Sequence, residues 1–204
     1  MRNDGTRIDF RVADSPFVAG LFFTNRAGDE GVVSVNDDLD TYSLRWDLNG
    51  VYNYSTGIDA ISRDFKVAAF RNRHNSPQSV EIRHISDFAE VGKPRCASIG
   101  PDGSQAPCPN VTQVMTALDQ TGVAAVGWEE PLDINIGPPV FVHWVQNEDS
   151  RFLTDFLSEH GLALDLPKKY TPLGARMTPD GHTIIGWYSV AAAPTHRCFL
   201  ATWQ

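Results

Sequence analysis

The stretch Ala175-Arg-Met-Thr-Pro-Asp-Gly-His-Thr-Ile-Ile-Gly186 holds a strand, a tight turn and the start of a second strand. Asp180-Gly181 is a strong two-residue hairpin signal, because glycine accepts the positive φ that such turns demand. The same order recurs upstream at Asp14-Ser-Pro-Phe-Val-Ala-Gly20, Asp64-Phe-Lys-Val-Ala-Ala-Phe70 and Thr121-Gly-Val-Ala-Ala-Val-Gly127. With Asp14, Asp64, Thr121 and Asp180 as origins, the spacings are 50, 57 and 59 residues. Self-similarity at such a period marks a repeat architecture, and about 50 residues suits a propeller blade of about four short strands. The expected fold is all-β: a β-propeller-like array of about four blades, forming one domain over residues 1–204.

The strands around each turn read alike. Asp59-Ala-Ile-Ser62, Thr116-Ala-Leu-Asp119 and Ala175-Arg-Met-Thr178 precede the last three turns, and small or β-branched residues follow them. Runs that are apolar throughout imply strands covered on both faces, as when blades pack on one another. A later strand alternates: Leu44-Arg-Trp46, Ile82-Arg-His84, Phe141-Val-His-Trp144 and Leu200-Ala-Thr-Trp203 each end on a large ring preceded by a polar residue. Alternation sends successive side chains to opposite faces. The rings are therefore expected between blades, and Arg45, Arg83, His143 and Thr202 toward solvent or a channel. These landmarks set repeats at roughly 7–50, 51–90, 111–148 and 170–204, with an insertion at 91–110.

Residues 149–161 break the β pattern. Phe152, Leu153, Phe156 and Leu157 have the spacing of an amphipathic helix. Asp149 or Ser150 can cap its start and Gly161 its end. A short helix inserted between two blades is expected there.

From Arg151-Phe-Leu-Thr-Asp-Phe-Leu to Trp203 the chain resembles the closing unit of bacterial extracellular HAF-repeat proteins. Their units are similar to A-x-x-(S/T)-x-D-G-x-x-I-(V/I)-G followed by a phenylalanine-rich strand ending in Trp. Ala175 to Gly186 and Phe199-Leu-Ala-Thr-Trp203 match that pattern. The tripeptide that names the family is absent, with His196-Arg-Cys-Phe199 near its place. Ala60-Ile-Ser-Arg-Asp64 and Ala117-Leu-Asp-Gln-Thr-Gly122 match loosely. The resemblance implies β-propeller-like repeats and an extracellular or periplasmic setting, and it brings no catalytic residues with it.

Composition narrows the partners. Lysine and arginine total 17 against 25 acidic residues, a formal charge of −8, which repels nucleic acid and anionic membranes. No apolar run approaches the ~20 residues that a membrane helix requires. The opening Met-Arg-Asn-Asp-Gly-Thr-Arg lacks the apolar core of a secretory signal. Neither nucleic-acid binding nor membrane insertion is expected. Cys96 and Cys108 flank a Gly- and Pro-containing loop and are the candidate disulfide, which would contribute about 3 kcal/mol. Cys198 lies in an apolar strand pattern and is expected to be a buried thiol.

Catalytic signatures are missing: there is no G-x-S-x-G elbow, H-E-x-x-H helix, P-loop, or G-x-G-x-x-G after a strand. The six histidines show no metal-ligand spacing, and no cofactor is expected. Asn36, Asp38 and Asp40 offer oxygens at alternate positions and are calcium candidates, although the glycine turn and distal glutamate of an EF-hand loop are absent. A solvated turn between strands is the preferred reading of the three. Glu129, Glu130, Asp133 and Asp59 are the acids from which a channel pair would be drawn, as in glycoside hydrolysis.

The expected role is a non-enzymatic extracellular or periplasmic module that binds a protein or glycan through loops on one face. The alternatives are a carbohydrate-active hydrolase or lyase with channel carboxylates, and a truncated fragment of a larger propeller. An unclosed ring leaves sheet edges and apolar faces exposed and promotes self-association. Arg7-Ile-Asp-Phe-Arg-Val12 alternates well and is the candidate to pair beside the C-terminal strand and close it. Function is expected where the repeats differ, at residues 36–40, 96–108 and 129–139.

Overall fold

The computed structural model describes residues 22–24, 31–36, 41–47, 50–54, 57–72, 79–94, 96–97, 111–132, 138–146, 150–190 and 193–204. The first expected turn, at Asp14, and the candidate closing strand, residues 7–12, lie outside the described residues. Four antiparallel sheets follow one another along the chain, and within each the order in space is the order in sequence. The first holds β1 (Phe22–Thr24), β2 (Gly31–Asn36), β3 (Thr41–Asp47) and β4 (Gly50–Tyr54). The second holds β5 (Gly57–Ile61), β6 (Val67–Asn72), β7 (Ser79–His84) and β8 (Glu90–Gly92). The third holds β9 (Val111–Leu118), β10 (Ala124–Pro131), β11 (Val140–Val145) and β12 (Arg151–Phe152). The fourth has three strands, β13 (Thr171–Met177), β14 (Thr183–Val190) and β15 (Ala193–Thr202). Residues 51–54 pair with β3, so they complete the first sheet.

The sheets meet face to face. β2 and β3 lie against β5, β5 and β7 against β9, and β9 and β10 against β13. The seam between the second and third sheets buries Ala69, Val80 and Ile82 against Met115, Val142 and Trp144. The next seam buries Val126 and Phe141 against Ala175, Ile184 and Ala201. β6 and β10, which follow the turns of the second and third sheets, are thus covered on both faces, as their apolar character requires, whereas β14 leaves Ile185 42% exposed.

The turns carry one hydrogen-bond pattern three times. Each spans six residues, beginning at Ser62, Asp119 or Thr178. The first residue donates its N–H to the sixth residue's carbonyl at 2.8, 3.0 and 2.9 Å respectively. Its side-chain oxygen accepts from the sixth N–H at 3.0, 3.1 and 3.0 Å. The third residue, Asp64, Thr121 or Asp180, accepts from the fifth N–H at 3.2, 3.3 and 3.1 Å. A hydroxyl-to-carboxylate bond then ties the first side chain to the third. In the middle turn the acid and the hydroxyl have exchanged places, Asp119 with Thr121. The loops therefore hold four residues between the paired ends, not the two expected from Asp180-Gly181, because the side chains close a wider ring. The fourth position is left-handed in all three, at Phe65 (φ 58°), Gly122 (φ 74°) and Gly181 (φ 76°). Phe65 tolerates that backbone because its ring is buried among Ile58, Ala68, Phe70 and Ile85.

One further bond fixes the strand register on this face. The carbonyls of Lys66, Val123 and His182 accept from the N–H groups of Ile85, Gln146 and Trp203 at 2.8, 2.7 and 3.1 Å. Trp203 is therefore the counterpart of Gln146 and Ile85, and the expected alignment of Trp203 with Trp144 and His84 does not hold. Trp144 fills the seam at 2% exposure, but its counterparts two residues before Ile85 and Trp203 are Arg83 and Ala201. His84 is exposed and packs no seam.

The expected helix forms as α1 (Leu153–Glu159), burying Leu153, Phe156 and Leu157. Its start is not the expected Asp149 or Ser150 cap. Arg151 and Phe152 still pair with His143 and Val142 of β11, so the helix cannot begin earlier; Phe152 is the N-cap and no side chain caps it. Its end closes as expected at Gly161 (φ 73°), where the N–H groups of Gly161 and Leu162 reach the carbonyls of Ser158 and Leu157 at 3.0 and 2.9 Å.

Candidate functional site

At one end of the blades the β5–β6, β9–β10 and β13–β14 turns are alike. At the opposite end the connections differ in length from sheet to sheet: residues 37–40, 73–78, 132–139 and 191–192 within sheets, and 55–56, 93–110 and 153–170 between them. Beneath these, on the seam between the second and third sheets, lies a cluster of buried polar groups. Asp59 stands at a register shift of β5 and is 4% exposed. Arg71 grips it as a fork, with Nε 2.7 Å from Oδ2 and Nη2 donating to Oδ1 at 2.9 Å. Both partners must be present, since either ion alone would be stranded in a low-dielectric seam.

Across the seam, Gln113 and Glu129 are directly opposed in the β9–β10 ladder, each 1% exposed. Period-2 alternation from Ala69, Met115 and Ala125 puts Arg71, Gln113 and Glu129 on the faces that line this seam. Glu129 Oε1 accepts the Ala97 N–H at 2.7 Å, which ties Ala97 to β10. Among the described residues, neither Oε1 nor Nε2 of Gln113 makes a hydrogen bond. The amide thus keeps a free donor and a free acceptor at a buried position. Cys96, next to Ala97, is buried and disulfide-bonded. Cys108, its expected partner, lies outside the described residues.

The four acids considered for a channel pair take separate parts. Asp59 is paired with Arg71 and Glu129 anchors Ala97. Glu130 points to the other face of β10 and is exposed, and Asp133 lies outside the described residues. The calcium candidates also fall at the edge of what is described: Asn36 ends β2 opposite Thr41, and Asp38 and Asp40 lie outside. Among the described residues no group of three or more His, Cys, Asp or Glu side chains is placed to hold a metal ion.

The set expected to face solvent or a channel divides. Thr202 is exposed. Arg83 is half-buried on β7, the third strand of its sheet, and it donates to Glu81 Oε2 at 2.9 and 2.6 Å and to the Phe88 carbonyl at 2.8 Å. Arg45's side chain lies outside the described residues. His143 is 3% exposed, stacked at 3.8 Å on Phe156 of α1 and edge-on to Trp203. Burial, reinforced by nearby His160 and Arg151, lowers its pKa to about 4. The helix covers it, which its polar slot in the strand pattern did not foretell. Cys198 is exposed rather than buried, because it lies on a face of the fourth sheet that no described element covers. Arg71 and Gln113 escaped sequence reasoning. Their signal was one long polar side chain at an inward position of an otherwise apolar strand, in Val67-Ala-Ala-Phe-Arg71 and Val111-Thr-Gln-Val-Met115.

Successive antiparallel meanders packed face to face, with β5, β9 and β13 running beside one another, define a β-propeller. Two solved structures share the fold. TolB from Acinetobacter baumannii matches with a TM-score of 0.54 and 10% identity, over 90% of this chain and 41% of that one. A putative TolB from Agrobacterium tumefaciens matches with a TM-score of 0.55 and 10% identity, over 93% of this chain and 64% of that one. The chain thus spans less than two thirds of the length of either neighbour. No family model and no curated protein matches the sequence. No helix among the described residues is long and apolar enough to cross a membrane.

Proposed function

We propose that this chain is a non-enzymatic binding module that takes a protein or glycan partner on the end opposite the repeated turns. The carrying observation is the contrast between the ends. One repeats the same hydrogen bonds in three sheets; at the other the connections differ in length from sheet to sheet, and the buried Asp59, Arg71, Gln113 and Glu129 lie toward that end. Recognition belongs to segments that vary on a rigid scaffold, and the 98–110 segment, anchored through Cys96 and Ala97, is the leading one. An extracellular or periplasmic setting is supported by the HAF-repeat resemblance and by the disulfide at Cys96, since such bonds persist in oxidising compartments.

The test compares the chain with a variant whose residues 99–106 are replaced by Gly and Ser. Both are screened on a glycan array and in crosslinking capture from the cell envelope. A ligand held by the chain and lost by an equally stable variant supports the proposal; equal binding by both overturns the assignment to this end. Release of reducing sugar from a bound glycan would identify a hydrolase instead.

A further inference from the structure

We infer that Gln113 receives a primary carboxamide from the ligand, carried either by a small molecule or by an asparagine or glutamine side chain of a protein. The inference rests on the reading that this end of the blades takes the ligand, and it names the group that enters. The other members of the buried cluster are engaged. Arg71 forks onto Asp59 at 2.7 and 2.9 Å, and Glu129 holds the Ala97 N–H at 2.7 Å. Gln113 is 1% exposed, and among the described residues neither its Oε1 nor its Nε2 has a hydrogen-bond partner. A buried amide left open in this way lowers stability, whereas an apolar side chain of similar size does not. Such a group is kept where something bonds to it, and here the ligand supplies the missing bonds.

Hydrogen-bond geometry selects the group. The glutamine amide presents a donor and an acceptor side by side in one plane. A primary carboxamide presents the same pair reversed, so two parallel hydrogen bonds satisfy Oε1 and Nε2 at once. A carboxylate has acceptors and no donor, and a trans secondary amide points its N–H and C=O to opposite sides and completes one bond only. Gln113 pairs with Glu129 two rungs in from the last rung of that ladder, Val111 with Pro131. The amide therefore lies about 7 Å from the strand end, and Leu132, just beyond it, is 53% exposed. Local opening at this strand end admits a group of a few atoms.

Propionamide titrated into the isotope-labelled chain tests the inference by nuclear magnetic resonance. The side-chain amide signal of Gln113, assigned by its loss in Gln113→Met, should shift with propionamide and stay in place with propionate or butanone, which lack the donor. Gln113→Met, or Gln113→Leu if the first variant misfolds, should weaken propionamide binding about 30-fold through the loss of two hydrogen bonds. The same variants should unfold at higher urea, because no bond within the chain is lost. Peptides with one Asn or Gln and methylamide-blocked ends separate the two sources. Binding tighter than that of propionamide places the carboxamide on a protein, and weaker binding places it on a small molecule. The inference is overturned if propionamide leaves the Gln113 signal unmoved up to its solubility limit, or if propionate or butanone shifts it equally. Unfolding of both variants at lower urea also overturns it, since the amide would then serve the fold. If Gln113 fails while replacement of residues 99–106 still abolishes capture, this inference alone falls. If neither change affects capture, the reading of this end falls with it.

Discussion

Gly122 and Gly181 occupy the same place in equivalent turns, yet their surroundings differ. A Cβ on Gly181 would meet only Asp119 Cβ, at 3.6 Å, whereas one on Gly122 would lie 2.5 Å from Val67 Cγ1 in the neighbouring sheet. Gly181→Ala should cost about 1 kcal/mol, the left-handed backbone penalty alone. Gly122→Ala should cost about 3 kcal/mol, since overpacking against a buried valine adds to it. Urea unfolding of both variants checks the difference, and equal costs would mean that the seam yields. The Asp59–Arg71 fork makes a second residue-scale prediction. Arg71→Ala should destabilise by about 3–5 kcal/mol by stranding the aspartate, and Arg71→Ala with Asp59→Ala by clearly less. A double-mutant cycle measures the coupling.

At the scale of elements, α1 matters because it roofs His143. A free histidine titrates near 6.5, and in the fold this one is held down to about 4 by burial, His160 and Arg151. Above pH 6.5 both folded and unfolded chains carry it neutral, and its contribution is complete. As the pH falls below 6.5 the unfolded chain takes up the proton first, so stability drops, levelling off below about pH 4 after a loss of about 3 kcal/mol. Chemical unfolding across that range should show the slope in the wild type and lose it in His143→Phe. The helix itself was legible from Leu153, Phe156 and Leu157. Its N-cap was not, because the claim of β11 on Arg151 and Phe152 is a tertiary one that local capping rules do not contain. The Asp180-Gly181 turn was likewise legible as a turn. Its four-residue form depended on Thr178 and Asp180 bonding to each other, which spacing alone does not reveal.

For the molecule as a whole, among the described residues each sheet packs extensively on its neighbours in the series alone, so the seams carry the cooperativity. Trp144 fills the seam between the second and third sheets. Trp144→Ala should cost about 3–5 kcal/mol and split a single unfolding transition in two, as circular dichroism and tryptophan fluorescence would reveal by losing coincidence. Reduction of the disulfide at Cys96 should lower stability by about 3 kcal/mol. Cys198→Ser should leave that loss unchanged if the bond is to Cys108.

The sequence by itself determined the all-β repeat, the turn positions and the apolar strands, because each rests on local chemistry: an acid or hydroxyl at a turn, positive φ, alternation along a strand. Tertiary structure alone decided which side chains became buried partners. Arg71, Gln113 and Glu129 come from strands up to 58 residues apart in number, and nothing local says that they share a seam. The rings misled for the same reason. Trp144 and Trp203 look equivalent in the chain, but register between strands, not distance from a motif, assigns a side chain to its place. Burial followed position in the series as well. Ile82, His143 and Leu200 occupy one register position, and what separates 0% from 70% exposure is whether another described element packs over it.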